Sequence, residues 1–243
     1  MKKRKGQVTI FIIVAIVIVL LAALLYIFYP QIRTGLGLGS QSPSAFLQSC
    51  LEEDVEMAID TLSIQGGSIE PENYFMYNGE KVEYLCYTTE YYKTCVMQQP
   101  LLKEHIEKEI GNEIEVTAKK CFDDLESSYR KRGYSVNLKR GRMAVELLPK
   151  RVVVNFDSSL SLSKGEVENY NSFNVVVNNN LYELVAIAKS ILNFEARYGD
   201  SETTVYMNYY RDLKVEKKKQ SEGTTIYILT DRNDENKFQF PTL

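Results

Sequence analysis

An uninterrupted apolar stretch near the N-terminus is the strongest pattern in the chain. Val8 to Tyr29 are 22 residues without a charge, and 16 of them are Val, Ile, Leu or Phe. As a helix rising 1.5 Å per residue, the stretch is about 33 Å long, which is enough to cross a hydrocarbon core of about 30 Å. A buried core helix would carry a polar stripe, whereas this stretch has only Thr9. The pattern therefore predicts one transmembrane helix over residues 8–29.

The charges that flank this stretch predict its orientation. Lys2, Lys3, Arg4 and Lys5 precede it, and Arg33 is the only basic residue in the short stretch after it. The positive-inside rule then makes residues 1–7 a cytoplasmic tail and places everything after the helix outside the cytoplasm. A cleaved secretory signal is the alternative, but its apolar core is usually about 7–15 residues and ends in a small-x-small site. The stretch here is longer than such a core and has no small-x-small site after it, so we predict a single-pass protein of the cell membrane.

The start of the apolar stretch resembles a known class of signal. Lys3-Arg4-Lys5-Gly6-Gln7-Val8-Thr9-Ile10, running straight into the helix, is similar to the class III signal of archaeal type IV pilin-like precursors. The resemblance implies cleavage between Gly6 and Gln7 by a membrane peptidase, and packing of the following helix into a filament core. That family usually has Glu at the fifth mature position, where it helps to dock an incoming subunit, and this chain has Phe11 there. The domain beyond is similar to uncharacterised archaeal surface proteins.

A linker separates the membrane helix from the rest of the chain. Residues 31–44 contain three glycines, one proline and three serines, a composition typical of flexible, polar linkers. We therefore expect a linker over residues 30–44 and an extracytoplasmic domain over 45–243, with candidate subdomains 45–133 and 134–243.

Apolar residues spaced by three and four predict about three helices in this domain, each followed by glycine. The predicted helices are Ser44–Ser63, Pro100–Arg132 and Leu181–Tyr198. The first and third are expected to be amphipathic, and the second is a long helix with an apolar stripe along its whole length.

Alternating apolar and polar residues predict antiparallel strands between and after the helices. Asn78-Gly79 supplies the two positive φ angles of a type I′ turn, so the flanking residues are predicted to form a hairpin. The predicted strands are Tyr74–Tyr77, Glu80–Tyr87, Tyr134–Leu138, Met143–Leu148, Val152–Phe156, Leu160–Ser163, Thr204–Tyr210, Leu213–Lys218, Thr224–Thr230 and Lys237–Phe240. Helices among antiparallel hairpins and meanders make the predicted fold α+β.

The charge of the domain argues against nucleic acid as a partner. The chain has 29 basic and 32 acidic residues, and the first thirty positions hold four of the basic ones and no acidic one. Residues 31–243 therefore carry 25 basic and 32 acidic residues, a net charge of −7. Phosphate binding needs clustered Lys and Arg. The one basic run, Lys217–Lys219, lies between Glu216 and Glu222 and is expected to be a solvated strand end.

Four cysteines are predicted to form two disulfides, because an extracytoplasmic domain usually lies in an oxidising compartment. Three pairings are formally allowed. Cys86 and Cys95 have the spacing of a closed local hairpin, and Cys50 and Cys121 lie on or beside the apolar stripes of two helices, so we predict Cys86–Cys95 and Cys50–Cys121. Free thiols are one alternative. A Cys₄ zinc site is another, but such sites use C-x₂₋₄-C pairs, and the nearest pair here has eight residues between.

No catalytic, cofactor or metal site is predicted. His105 is the only histidine, and the residues in reach of it on a helix are Leu101, Leu102, Lys108 and Glu109, none of them a usual nucleophile. We therefore expect His105 to point beside or away from the core, with no hydrolytic site built on it. A Ser, Thr or Cys side chain against it in a cleft would indicate an enzyme instead.

Two further polar segments are interpreted from their residue types. The loop from Asp231 to Asn236 has the residue types of a weak calcium site but lacks the glycine and the spaced glutamate of an EF-hand. The run Asn178-Asn179-Asn180 is most simply a helix-entry loop with Asn as its cap.

Three functions remain open from the sequence. The first is a membrane-tethered envelope or surface protein with a non-catalytic outer domain that binds another envelope protein or a surface polymer. The second is a pilin-like filament subunit processed after Gly6. The third is an envelope enzyme with an unrecognised acidic site, which two inward carboxylates with shifted pKa values would favour.

The predicted topology has a direct test. Protease added to intact cells should remove residues 45–243 and spare the N-terminal tail, because only the outer domain is accessible. Protection of the domain from the protease would overturn the topology.

Overall fold

The computed structural model describes residues 42–90, 92–234 and 236–243. The predicted cytoplasmic tail and transmembrane helix, the linker up to residue 41, and the processing residues Gly6 and Gln7 lie outside the described residues. Within the described part, no helix is both long enough and apolar enough to span a membrane.

The described residues form an α+β fold with four helices. The helices are α1 (Pro43–Ile64), α2 (Leu102–Lys131), α3 (Leu181–Tyr198) and α4 (Thr204–Tyr209). The first three match the predicted helices to within two residues at either end.

The short helix α4 corrects the strand predicted over Thr204–Tyr210. Its Thr, Val and Tyr residues have the composition of a strand, but none of the six helical residues is buried. The carboxylate of Glu202 accepts the N–H of Thr204 at 2.9 Å, which satisfies a donor at the start of the helix. The Tyr206 hydroxyl then hydrogen-bonds Ser190 on α3 at 2.9 Å. Local capping and docking onto α3 therefore override strand propensity here.

Each longer helix buries one apolar stripe, because residues spaced by three and four lie on one side of a helix. The stripes consist of Leu47, Leu51, Val55, Ala58 and Leu62 on α1; Leu102, Ile106, Ile110, Ile114, Ala118, Cys121, Leu125 and Tyr129 on α2; and Leu181, Leu184, Val185, Ala188, Ile191 and Leu192 on α3. These are the positions whose spacing predicted the helices.

The strands are short and mostly antiparallel. They are β1 (Tyr74–Tyr77), β2 (Glu80–Glu83), β3 (Cys86–Tyr87), β4 (Val96–Met97), β5 (Ser135–Lys139), β6 (Met143–Leu148), β7 (Arg151–Phe156), β8 (Ser159–Lys164), β9 (Glu166–Tyr170), β10 (Phe173–Val177), β11 (Leu213–Lys219), β12 (Thr225–Asp231) and β13 (Lys237–Thr242). The predicted strand Glu80–Tyr87 is divided, because β2 pairs with β1 whereas β3 joins another sheet. In the β1–β2 turn, Asn78 and Gly79 have the expected positive φ angles of 49° and 91°.

Six strands pair as the two halves of one bent, three-stranded meander. One half has the order β10-β7-β6 and the other β5-β8-β9. Between the residue pairs Lys139–Ser159 and Met143–Phe156 the strand pairing is interrupted, with three residues on one side and two on the other. Gly141 lies in this interruption, where an added Cβ would be 1.8 Å from the backbone carbonyl oxygen of Asp157. Only glycine allows this approach.

The C-terminal strands form a five-stranded sheet with the order β11-β12-β13-β3-β4. All of its pairings are antiparallel except the single bridge between β13 and β3, at Thr242 and Cys86. Helix α3 contacts β12 and β13 of this sheet as well as β7 of the meander. Residues before and after position 133, the boundary between the two candidate subdomains, therefore share one buried core, and residues 43–243 form one compact unit.

Helices α1 and α2 pack together and are bonded through Cys50, which lies beside the apolar stripe of α1, and Cys121, which lies within that of α2. The structure joins Cys50 to Cys121, across 71 residues of sequence, and Cys86 to Cys95, across nine. This is the pairing that the sequence predicted, and no described cysteine is free. The second bond closes the loop between β3 and β4.

We predict that the two disulfides contribute unequally to stability. Chain entropy gives about 4.4 kcal/mol for the long loop and about 2.7 kcal/mol for the short one. Urea unfolding of C50S/C121S and of C86S/C95S should therefore show the larger loss of unfolding free energy in the first double variant. Equal losses, or a larger loss in the second, would contradict this order.

Candidate functional site

A cleft of about 570 Å³ lies between the segment that follows α1, strand β2 and helix α2. It is lined mainly by polar side chains, five of which are carboxylates. The carboxylates are Glu70, Glu72, Glu83, Glu109 and Glu113. Ser68 and His105 lie in the same cleft.

Two glycines allow the chain to form one wall of the cleft. The N–H of Gly67 donates to the carbonyl of Leu62 at 2.8 Å and so ends α1. Gly66 has φ +79°, and an added Cβ would be 2.8 Å from the carbonyl oxygen of Glu83. The chain therefore turns sharply and presses against β2, where the N–H of Glu83 donates to the carbonyl of Gln65 at 3.0 Å. This turn brings Ser68 to the side of α2.

The structure places His105 against Ser68. The Ser68 Oγ and His105 Nε2 atoms are 2.9 Å apart, and Ser68 is only 5% exposed. A serine against His105 in a cleft is the contact expected of an enzyme, and the prediction that no hydrolytic site is built on His105 stays a prediction. Ser68 comes from another element, 37 residues earlier. The spacing of residues along one helix does not reveal such a partner.

Glu83 is the most perturbed acid of the cleft. Burial raises the pKa of its carboxyl above the usual value, while a hydrogen bond from Ser68 and the charge of His105 lower it in part. Its Oε2 atom is buried and accepts no hydrogen bond from any described residue. Glu109, one helical turn after His105, accepts the N–H of Ile69 at 3.0 Å. The cleft thus holds Glu83, which has an acceptor oxygen without a donor, beside Glu109, whose carboxylate accepts a hydrogen bond.

The Ser68–His105 pair lacks the surroundings of a nucleophile. The hydrogen bond between Ser68 Oγ and His105 Nε2 fits either direction, because the ring nitrogen donates in one tautomer and accepts in the other. The N–H groups of Gly67 and Ile69, on either side of Ser68, are already bonded to Leu62 and Glu109. Neither is available to stabilise an oxyanion. Five carboxylates also oppose the negative charge that develops during acyl transfer.

A second polar cleft, of about 710 Å³, contains residues of the loop from Asp231 to Asn236, the weak calcium candidate, and of the run Asn178-Asn179-Asn180. The Asn180 amide donates to Asp231, and the Asn236 amide donates to the Asn180 carbonyl oxygen at 2.9 Å. The Asn179 side chain accepts the N–H of Leu181 at 2.8 Å, so an Asn of this run satisfies a donor at the start of α3, while Asn180, which directly precedes the helix, makes no side-chain cap bond. No group of three or more His, Cys, Asp or Glu among the described residues is arranged to hold a metal.

Sequence reasoning identified His105 and missed its partners. Ser68 and Glu83 have no local pattern that sets them apart, and the signal near them is the Gly66-Gly67 pair, which by itself predicts only a helix end. No family model, no curated protein and no solved structure matches this chain. The chemistry of the cleft is therefore inferred from its geometry.

We predict that Glu83→Gln stabilises the fold at neutral pH. Since the folded state raises the pKa of Glu83, ionisation of this carboxyl opposes folding once the pH rises above the unfolded value of about 4.3. Urea unfolding should show E83Q to be more stable than the wild type at pH 7. The difference should vanish near pH 3.5, where the carboxyl is neutral in both states. The exposed Glu53→Gln is the matched control, and an E83Q that is less stable at pH 7 would contradict the assignment.

Proposed function

We propose that this chain is a membrane-tethered envelope protein whose non-catalytic outer domain binds a positively charged segment of another envelope macromolecule. The anchor in this proposal is the apolar stretch Val8–Tyr29, with the tail in the cytoplasm and residues 45–243 outside. The binding surface is the His105 cleft.

The observation that carries the binding proposal is the buried, unpartnered Oε2 atom of Glu83 in a cleft of five carboxylates. A buried acceptor without a donor costs roughly 1–3 kcal/mol. An ammonium or guanidinium group of a ligand provides the charge opposite to that of the carboxylates, and a side-chain movement that exposes Oε2 would let it donate the missing hydrogen bond as well. Binding would therefore relieve a cost that the unliganded fold carries, which favours a cationic partner over a neutral or acidic one.

A second candidate function is hydrolysis, and the 2.9 Å contact between Ser68 and His105 is the observation in its favour. A fluorophosphonate probe separates the two functions, because it labels only serines that a base has activated. We expect no labelling of Ser68. Labelling that is lost in both Ser68→Ala and His105→Ala would replace the binding function with an enzyme.

The pilin-like alternative depends on the N-terminal residues alone. Cleavage after Gly6 would remove six residues from the mature chain. A surface-binding protein should be found in the envelope fraction and a filament subunit in shed filaments. Mass spectrometry of the two fractions therefore distinguishes them.

We predict that the full-length chain binds a hexalysine peptide through this cleft. Isothermal titration calorimetry should show E83Q to lose at least about tenfold in affinity, about 1.4 kcal/mol, while E53Q, with the same change in net charge, binds like the wild type. Affinity should fall with added salt.

The same variant, E83Q, is measured both for unfolding free energy and for affinity towards hexalysine. A variant that is more stable yet binds less tightly is the signature of a residue kept for recognition rather than for folding. Equal affinity of E83Q and E53Q would overturn the assignment of the cleft.

A further inference from the structure

A cleft of about 350 Å³ lies where the end of α3 meets the loop between β3 and β4 and the paired strands β12 and β13. Its walls include Gly199 at the end of the helix, Cys95 of the disulfide-closed loop and Thr225 on β12. Small-molecule sites usually have volumes of about 300–1,000 Å³, so the cleft has room for a small ligand. None of its lining residues belongs to the His105 cleft.

Glu195 on α3 brings a buried carboxylate to this cleft. It is 5% exposed, and its Oε1 atom accepts the Ser201 N–H at 2.8 Å and the hydroxyl of Tyr227. Gly199 has a left-handed φ of +87°, which turns the chain at the end of α3 and returns Ser201 to the carboxylate. Burial raises the pKa of the Tyr227 hydroxyl, so this group remains a donor. Two donors therefore hold the carboxylate in one orientation.

The second oxygen of Glu195 is available to a ligand. No described residue donates to Oε2. Among the described side chains, only Glu83 Oε2 and Ser201 Oγ are both fully buried and without a partner, so Glu195 Oε2 is accessible from outside. Because Glu195 lines the cleft, we infer that Oε2 opens onto it. An ionised carboxylate only accepts hydrogen bonds, so this atom favours a ligand that donates one.

Positive charge next to Glu195 favours a neutral donor over an ammonium group. Lys217 Nζ lies 3.9 Å from Glu195 Oε1 and offsets the charge of the carboxylate. Lys93 also lines the cleft, where it pairs with Glu90 at 2.7 Å. An ammonium ligand on Oε2 would share the cleft with two lysines, and like charges repel. A hydroxyl group donates to Oε2 without that repulsion.

The remaining wall suits a ligand that carries several hydroxyl groups. Thr94 and Thr225 line the cleft, and neither hydroxyl is bonded to a described residue. Such hydroxyls both donate and accept. Tyr92 also lines the cleft and is 82% exposed, so its ring offers a flat face with partial negative charge. The C–H groups on one face of a sugar ring are apolar and weakly positive, and they match such a surface.

We propose that this cleft binds a neutral saccharide, with one hydroxyl donating to Glu195 Oε2 and one face of the sugar ring stacked on Tyr92. The saccharide is either a free sugar or a unit of a surface polymer, since both present the same groups. This site does not depend on the function proposed for the His105 cleft.

Saturation-transfer difference NMR on the full-length chain in nanodiscs tests the site. The probes are glucose, galactose, mannose and N-acetylglucosamine, and at least one of them should bind. Glu195→Gln should weaken that binding at least tenfold. The two donors keep the amide oxygen at the Oε1 position, so the amide nitrogen donates where Oε2 accepts. Tyr92→Ala should weaken binding at least threefold, whereas Tyr209→Ala removes an equally exposed ring and should bind like the wild type.

Methyl glycosides of the same four sugars distinguish the two sources. The methyl group occupies the position through which a polymer continues. Binding that is kept in the methyl glycoside supports a unit of a polymer, and binding that is lost supports a free sugar.

Four results would overturn the proposal. They are failure of all four sugars to bind, wild-type affinity in Tyr92→Ala, wild-type affinity in a Glu195→Gln whose circular dichroism matches the wild type, and tighter binding of ethylammonium than of any sugar. The last result would assign the cleft to a cation. Tyr92 is at the surface, so its variant tests the proposal even where Glu195→Gln does not fold.

Discussion

The packing of α2 against α1, held by the bond between Cys50 and Cys121, is the constraint on which the rest of the fold depends. Helix α2 is the longest element described, and its sides contact different parts of the domain. The stripe that includes Ile106 and Ile110 faces the core. Another side carries Glu107, which caps the edge of β6. Because a helix repeats every 3.6 residues, the same helix also places His105, Glu109 and Glu113 along the acidic cleft.

The acidic cleft carries a cost to folding. Desolvation of Glu83 and its unused acceptor oxygen cost stability. This cost occurs at a residue of the cleft that we propose binds a ligand. The apolar core and the two disulfides allow a domain of this size to carry it.

The fold was more predictable from sequence than the site, for reasons that particular residues make clear. The stripes of the three long helices and the Asn78-Gly79 turn are local patterns, so their positions follow from spacing alone. Strand β10 was missed although Phe173, Val175 and Val177 alternate in burial, and β9 has no apolar alternation because all but its last residue are exposed. The contact between Ser68 and His105 joins distant elements through a glycine turn, and no local pattern encodes it.

Amide hydrogen exchange of the full-length chain, with and without hexalysine, tests the central claim that the His105 cleft is the binding surface. The account predicts slower exchange on addition of the peptide in residues 65–72, 80–85 and 102–113, and little change elsewhere in the described domain. Unchanged exchange in those segments, with protection centred instead on residues 178–180 and 231–236 around the second acidic cleft, would contradict it.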